Sequence, residues 1–285
     1  MAILGTGIMG SSMARRLASK GFRVHLWNRT QERAERLAKE IGATAHRTPW
    51  EAVESADVGV AFLADDNAIL SAVSTFRRAD GLVFINSSTI TPRTSEMVAN
   101  YLHNLGVCYV EAPVIGGSGD ILEGRALFMV AGDDSCLKVG EPVLRTAGDY
   151  IVVSEKVGTA MALKLAYNLL LITTVASLSE AVALSESYGV DASKFMEVLR
   201  RTAFASVGER YLPRILNPSS PVHFRLSLAA KDLEYASRAA FDAGLAVHVA
   251  DAAARLYKHA DAHGLGDLDY TRVIDFLRPR RASQL

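Results

Sequence analysis

The sequence predicts an α/β domain built on a parallel sheet, followed by an all-helical domain, and three observations carry that expectation. Short apolar runs alternate with helix-like segments through the first half of the chain, the pattern of stacked strand and helix units. After about Ser154 the strand-like runs stop and apolar positions recur at helical spacing. At the start, Gly5-Thr6-Gly7-Ile8-Met9-Gly10 sets a glycine-rich turn between the first apolar run and the first helix-like segment. With 285 residues, 49% of them apolar, the chain has material for two cores. The change of class places the domains at residues 1–154 and 155–285.

Taken in order, strands are expected at Ala2–Leu4, Arg23–Trp27, Val58–Leu63, Leu82–Asn86, Val107–Glu111, Leu127–Ala131 and Tyr150–Val153. The first is unusually short, which leaves open a misplaced start or a genuinely clipped edge. Ser11–Ser19 and Gln31–Glu40 read as helices. Thr48-Pro49-Trp50-Glu51 combines a capping threonine, proline at the first helical position and glutamate three residues after the cap, a helix start. Thr91-Pro92 repeats part of that device. In the second half, helices are expected at Thr159–Tyr188, Ala192–Arg201, Ala229–Ala243 and Ala246–His263, the first of them a long interdomain helix. The sequence holds no internal repeat and no low-complexity tract.

Composition narrows the function classes. The 31 basic and 31 acidic side chains cancel, so there is no electrostatic footprint for nucleic acid or an anionic membrane, while small anionic ligands stay compatible. Two cysteines, Cys108 and Cys136, make neither a disulfide framework nor a cysteine-rich zinc site, which fits a reducing compartment and points to the cytoplasm. The seven histidines show no converging metal-ligand spacing, and no metal is expected. Met1–Gly10 lacks the basic and apolar regions of a signal peptide. Met161–Leu184 is apolar but carries Lys164, Asn168 and Glu180, so it reads as a buried helix of a soluble protein. Arg278–Leu285 reads as a frayed tail, and Ser283-Gln284-Leu285 only loosely echoes a peroxisomal address.

The glycine string matches G-x-G-x-x-G, and its place after a strand and at the head of a helix makes the first domain a Rossmann-type dinucleotide-binding unit. Gly5 and Gly7 permit a tight turn and close approach of backbone to a pyrophosphate. Gly10 permits close packing of helix on strand, and the helix N-terminus presents N–H groups to the anion. Thr6, Ile8 and Met9 complete the loop. At the end of the second strand, an NAD-binding chain usually has an acidic residue for the ribose 2′-hydroxyl. This chain has Asn28-Arg29-Thr30. Arg29 can fork onto a ribose phosphate, with Asn28 and Thr30 as neutral donors, so NADP(H) is expected over NAD(H). The plainer reading makes Arg29 a surface residue and Thr30 a helix cap. Leu63, at the end of the third strand run, joins the cofactor set.

Four strings together resemble the β-hydroxyacid dehydrogenase family, which includes 3-hydroxyisobutyrate dehydrogenases, tartronate semialdehyde reductases and glyoxylate/succinic semialdehyde reductases. They are the loop and helix Gly5–Leu17, then Asn86-Ser87-Ser88-Thr89-Ile90-Thr91-Pro92, then Glu111-Ala112-Pro113-Val114-Ile115-Gly116-Gly117, and finally Gly158–Asn168 with Lys164. Phe224-Arg225-Leu226 and Lys231-Asp232-Leu233 are similar to two further family segments. The resemblance implies Thr89 near the nicotinamide, Lys231 on the cofactor, Asp232 and Phe224 lining the substrate site, hydride transfer in a cleft between domains, and a homodimer or homotetramer built on the helical domain.

The chemistry of the fourth string can be rebuilt from its residues. Lys164 and Asn168 are one helical turn apart and project from one face. Reducing a carbonyl builds negative charge on oxygen and needs a proton donor in reach; the reverse reaction needs the same group as base. Lys164 suits that role in apolar surroundings, with Asn168 orienting the substrate, whereas the plainer reading has Lys164 reaching out from a packed helix.

Gly116 and Gly117 can expose consecutive N–H groups, a nest for a substrate carboxylate. Here the chain departs from the family, whose serine is replaced by Ile115 and whose aspartate is replaced by Glu111. Either the pocket is more apolar and takes another substrate, or a different donor such as Arg125 replaces the hydroxyl. The expected activity is NADP-dependent interconversion of a short β-hydroxyacid and its semialdehyde or oxo acid, on a small carboxylate-bearing substrate. Imine reduction on the same scaffold and a noncatalytic cofactor-binding module are the alternatives, and the presence of Lys164 weighs against both.

Overall fold

The computed structural model describes residues 1–278, and the chain divides into two compact units, Met1–Lys164 and a second from Leu165 onward. The first unit opens with β1 (Ala2–Leu4), α1 (Ile8–Ser19), β2 (His25–Trp27), α2 (Gln31–Ile41), β3 (Thr44–Ala45), α3 (Pro49–Glu54), β4 (Val58–Ala61) and α4 (Asp66–Val73). It continues with β5 (Val83–Asn86), α5 (Pro92–Asn104), β6 (Cys108–Glu111), β7 (Val114–Ile115), α6 (Ser118–Glu123), β8 (Ala126–Gly132), α7 (Asp134–Ala147) and β9 (Gly148–Ser154). The strand order is β3-β2-β1-β4-β5-β6-β8-β7, with β9 paired to β8.

Short β1 pairs with β2 on one side and β4 on the other, so it is an interior strand and not an edge. The ladder from β3 to β6 is parallel, as expected. The pairings of β8 with β6 and with β7 are antiparallel, which the sequence pattern did not announce. Pro113 has no N–H to give a ladder and divides β6 from β7, after which α6 turns the chain back along both as β8. One face of the sheet packs Ile3, Val60 and Ile85 with Met13 and Leu17 of α1. The other packs Leu4, Phe84 and Tyr109 with Val98 of α5 and Met161.

The helix α8 (Thr159–Ser187) starts in the first unit and continues through the second. It is long and apolar enough to cross a membrane by length and composition, yet Ile172, Val175 and Val182 are core residues of the second unit. With it come α9 (Ala192–Arg200), α10 (Ala205–Leu216), α11 (Leu226–Asp242), α12 (His248–Ala260) and α13 (Val273–Leu277). The core closes around Leu212, Leu233 and fully buried Tyr257.

Two expectations change. Cys108 of β6 and Cys136 of α7 are joined as a disulfide, Cα to Cα 5.6 Å, so the cysteine count no longer argues for a reducing compartment. A separation of 28 residues in sequence gives no sign of this adjacency, which the β6 to β8 pairing and the return of α7 create. Arg278, expected in a frayed tail, forks onto Glu186 with bonds of 2.9 and 2.8 Å. The rest of that tail, including Ser283-Gln284-Leu285, lies outside the described residues.

Candidate active site

The glycine loop is built as its sequence requires. Gly5 has φ of 96°, a conformation that disfavours a side chain. A Cβ on Gly10 would strike the Gly5 carbonyl oxygen, so the third glycine lets the first turn of α1 sit on the loop. A Cβ on Gly7 would meet nothing, which leaves the loop's outer side open to a ligand. The Thr6 hydroxyl is buried and has no hydrogen-bond partner, as is the Ser87 hydroxyl after β5. Open space over exposed backbone, beside an unpartnered hydroxyl, fits a pyrophosphate at the head of α1.

Asn28, expected among the cofactor contacts, is bonded on both sides within the chain. Its Oδ1 accepts the Thr6 N–H at 3.0 Å and its amide donates to the Thr30 carbonyl at 2.9 Å, so it braces the glycine loop from β2. Thr30 precedes α2 without capping it through its side chain. Arg29 and Thr30 are exposed, and Ile8 and Met9 lie at or near the surface of α1.

Next along the sheet, the Leu63 N–H donates to the Ser88 hydroxyl at 2.8 Å, tying the loop after β4 to the loop after β5. Asp66 holds the far side of that loop, accepting from the Thr91 N–H at 2.9 Å and the Thr91 hydroxyl at 2.8 Å. Thr89 is partly exposed between these two anchors.

The third string does two things in the structure. The Gly117 N–H donates to Asp120 Oδ2 at 2.7 Å, so the chain's own carboxylate takes half of the nest expected for a substrate carboxylate. The cause is local: Asp120 caps the start of α6 as N3 acids do. Gly116, with φ of 116°, makes the turn that brings Asp120 over it. Arg125 pairs with Asp120 and Glu123 on the surface. Ile115 packs beside Met129, Ala131 and Ala160.

At its other end the string meets α8. Glu111 has no exposed surface, and its carboxylate accepts the N–H of Gly158 at 2.8 Å and of Ala160 at 3.1 Å. Burial pushes the Glu111 carboxyl above the usual carboxylate range, opposed by bonds from Ser95 and from the Gly158, Ala160 and Met161 backbone. One turn on, Lys164 is only 8% exposed, and its ammonium donates to the Val114 carbonyl at 2.8 Å. Lys164 therefore lies against the Glu111–Gly117 string instead of reaching into solvent.

In the second unit, Asn168 is buried and donates from its amide to Asp232 Oδ2 at 2.6 Å. Asp232 is 2% exposed and also faces Lys231 Nζ at 3.1 Å. A surface ion pair, the plainer reading of Lys231 and Asp232, is thus replaced by a buried carboxylate that sets the Asn168 amide. Lys231 also lies 4.9 Å from the centre of the Tyr235 ring. Phe224 packs at 5.4 Å from Tyr270 between ring centres, in the loop before α11. Among the described residues no three His, Cys, Asp or Glu side chains gather into a metal site.

Sequence reasoning missed Asp66, Asp120 and the buried partners of Glu111. Glu111 carried a visible signal, a lone acid ending the apolar run Val107–Glu111. The partners Ser95 and Tyr109 carried none.

A glycine loop at the head of α1, on a sheet of this strand order, is the architecture of a dinucleotide-binding domain. Two family models cover the chain: the NAD binding domain of 6-phosphogluconate dehydrogenase over residues 1–158, and the NAD-binding domain of NADP-dependent 3-hydroxyisobutyrate dehydrogenase over residues 158–277. The chain belongs to the β-hydroxyacid dehydrogenase family of oxidoreductases. It is 29% identical to glyoxylate/succinic semialdehyde reductase 2, chloroplastic, of Arabidopsis thaliana, across 100% of this chain and 81% of that protein. It is 28% identical to the mitochondrial 3-hydroxyisobutyrate dehydrogenase of Drosophila melanogaster, across 99% of this chain and 90% of that one. The solved structure of Mycobacterium tuberculosis 3-hydroxyisobutyrate dehydrogenase with L-serine matches with a TM-score of 0.86 at 27% identity, covering 98% of each chain.

Proposed function

We propose that the protein is an NADP-dependent reductase of a short semialdehyde or oxo acid, equivalently a β-hydroxyacid dehydrogenase, working in the cytoplasm as a homodimer or homotetramer. The observation that carries the reading is the buried Lys164 ammonium, held by the Val114 carbonyl at 2.8 Å beside Ile115 and Gly116.

The bound nicotinamide supplies the hydride. Gly5, Thr6, Gly7, Ile8, Met9 and Gly10 hold the pyrophosphate, with Asn28 bracing the loop. Arg29 and Thr30 take the ribose phosphate, and no acidic side chain at positions 28–30 repels it. Leu63, Thr89 and Lys231 position the nicotinamide half. Lys164 gives its proton to the oxygen of the carbonyl being reduced, and takes it back in the oxidative direction. Asn168, its amide set by Asp232, orients the substrate. Gly116 and Gly117 receive the substrate carboxylate once Asp120 yields the Gly117 N–H, and Phe224 lines the pocket. Exposed apolar side chains on one long helix and its neighbours, Leu170, Leu184, Tyr188, Phe241 and Leu245, supply the surface for association between copies.

The test is consumption of NADPH against NADH with glyoxylate, succinic semialdehyde, methylmalonate semialdehyde and tartronate semialdehyde. Turnover that prefers NADPH on one of these carries the assignment. Binding of NADPH with no turnover on any of them defeats it, and a cyclic imine is then the next substrate to add.

A further inference from the structure

Four buried polar groups in the first unit form one directed chain. The Asn86 amide donates to the Tyr109 hydroxyl at 3.0 Å, and the Tyr109 and Ser95 hydroxyls are bonded at 2.7 Å. The Ser95 hydroxyl stands beside the Glu111 carboxyl and lowers its pKa, against the effect of burial. The ordering that gives each hydroxyl an acceptor runs from Asn86 through Tyr109 and Ser95 toward Glu111, whose carboxylate accepts the backbone N–H groups of Gly158 and Ala160. Asn86 also accepts the Ser88 N–H at 3.0 Å through its Oδ1, and Ser88 accepts from Leu63. The loops expected to touch the nicotinamide are therefore linked, through buried and partly buried polar side chains, to the first turn of the helix that carries Lys164.

We propose that Glu111 is a positioning residue for catalysis, which locks the first turn of α8 so that Lys164 lies on the Val114 carbonyl, at the substrate string. Two features of the geometry support this. Glu111 and Val114 belong to one short segment, and that segment holds α8 twice, by the Glu111 carboxylate on Gly158 and Ala160 and by the Val114 carbonyl on Lys164. The two grips fix both the height and the rotation of the turn between them. The second feature is that a carboxylate without exposed surface would be a net cost to the fold were it not matched by these donors, which include N–H groups the helix start leaves unpaired.

The proposal rests on the reading of Lys164 as general acid/base, and the experiment separates the two. Glu111→Gln keeps the shape but turns one acceptor into a donor facing a backbone N–H. Glu111→Asp keeps the charge and shortens the reach. NADPH binding stoichiometry counts folded sites, so kcat is expressed per binding site. The expected result is a kcat about tenfold or more below wild type for Glu111→Gln, with KM for NADPH within about twofold, and partial rescue in Glu111→Asp. Amide exchange in a peptide covering Gly158–Lys164 should quicken about tenfold in Glu111→Gln, with exchange in α1 unchanged. Unchanged kcat per site together with unchanged exchange overturns the proposal, as does a loss explained wholly by fewer folded sites. If wild type consumes no NADPH, the reductase reading fails, while the exchange of the α8 turn still decides whether Glu111 locks it.

Discussion

Lys164 donates to the Val114 carbonyl oxygen at 2.8 Å, which joins the N-terminal part of a 29-residue helix to the start of a two-residue strand. That bond keeps a cation with little exposed surface beside the Ile115-Gly116-Gly117 turn. A carbonyl oxygen carries no charge to neutralise an ammonium, which is compatible with the proposed role of Lys164 as proton donor.

Lys164→Ala should therefore lower kcat by roughly a hundredfold or more, the usual loss for a general acid. Binding of NADPH should stay near wild type, because the glycine loop and β2 do not depend on Lys164. Steady-state rates and a fluorescence titration with NADPH check the two halves. A variant that keeps full kcat sinks the assignment of the proton to this residue.

Asp120 offers a sharper test of the substrate. Its carboxylate occupies the Gly117 N–H at 2.7 Å and sets a negative charge beside the expected carboxylate nest. Asp120→Ala frees that donor and removes the repulsion. KM for succinic semialdehyde should fall roughly two- to tenfold, about the worth of one hydrogen bond, while KM for butanal stays unchanged. Equal changes for both aldehydes would place the substrate carboxylate elsewhere.

Arg29→Ser should reduce kcat/KM with NADPH by roughly ten- to hundredfold, the range for a lost bond to a charged group, and leave NADH nearly untouched. Comparing the two cofactors on one aldehyde is sufficient. If both fall together, Arg29 reads the adenine and not a phosphate.

The parts of this molecule that were legible beforehand are the ones written in local sequence. The glycine loop appears as spaced, and Thr48 and Glu51 form the capping box their spacing announces, with Thr48 Oγ1 accepting the Glu51 N–H at 3.2 Å. Helix α10 was not legible, because Gly208 and Pro213 inside it interrupt the apolar period that marks a helix. β7 was hidden for a related reason, being two residues long and directly behind Pro113. What no local pattern carries is pairing at a distance. Asn168 with Asp232 spans 64 positions and Lys164 with Val114 spans 50, and in both cases only the packed fold says which polar group meets which. The Cys108 and Cys136 pair was misjudged on the same ground.

A pH dependence of stability follows from the edge of the sheet. His25 of β2 and His46 after β3 are bonded ring to ring, Nδ1 to Nε2 at 2.9 Å, which requires one neutral nitrogen to accept. Burial is the first cause that holds the His25 pKa below the ordinary value, followed by the charge of His46, the N-terminal ammonium and Arg23. In the unfolded chain His25 titrates near its ordinary value of about 6.5. As pH falls below that point, the unfolded state takes up a proton that the folded state refuses, so stability present above about pH 6.5 declines until the folded pKa is passed. Glu111, whose carboxyl is raised by burial, acts in the opposite direction, and it is common to the two proteins compared below. Melting temperatures measured from pH 8 to pH 5 should fall across this window. In His25→Gln, which keeps a hydrogen-bonding side chain but cannot be protonated, the fall should be smaller than in wild type. Identical slopes in the two proteins would show that the His25 and His46 pair contributes nothing to it.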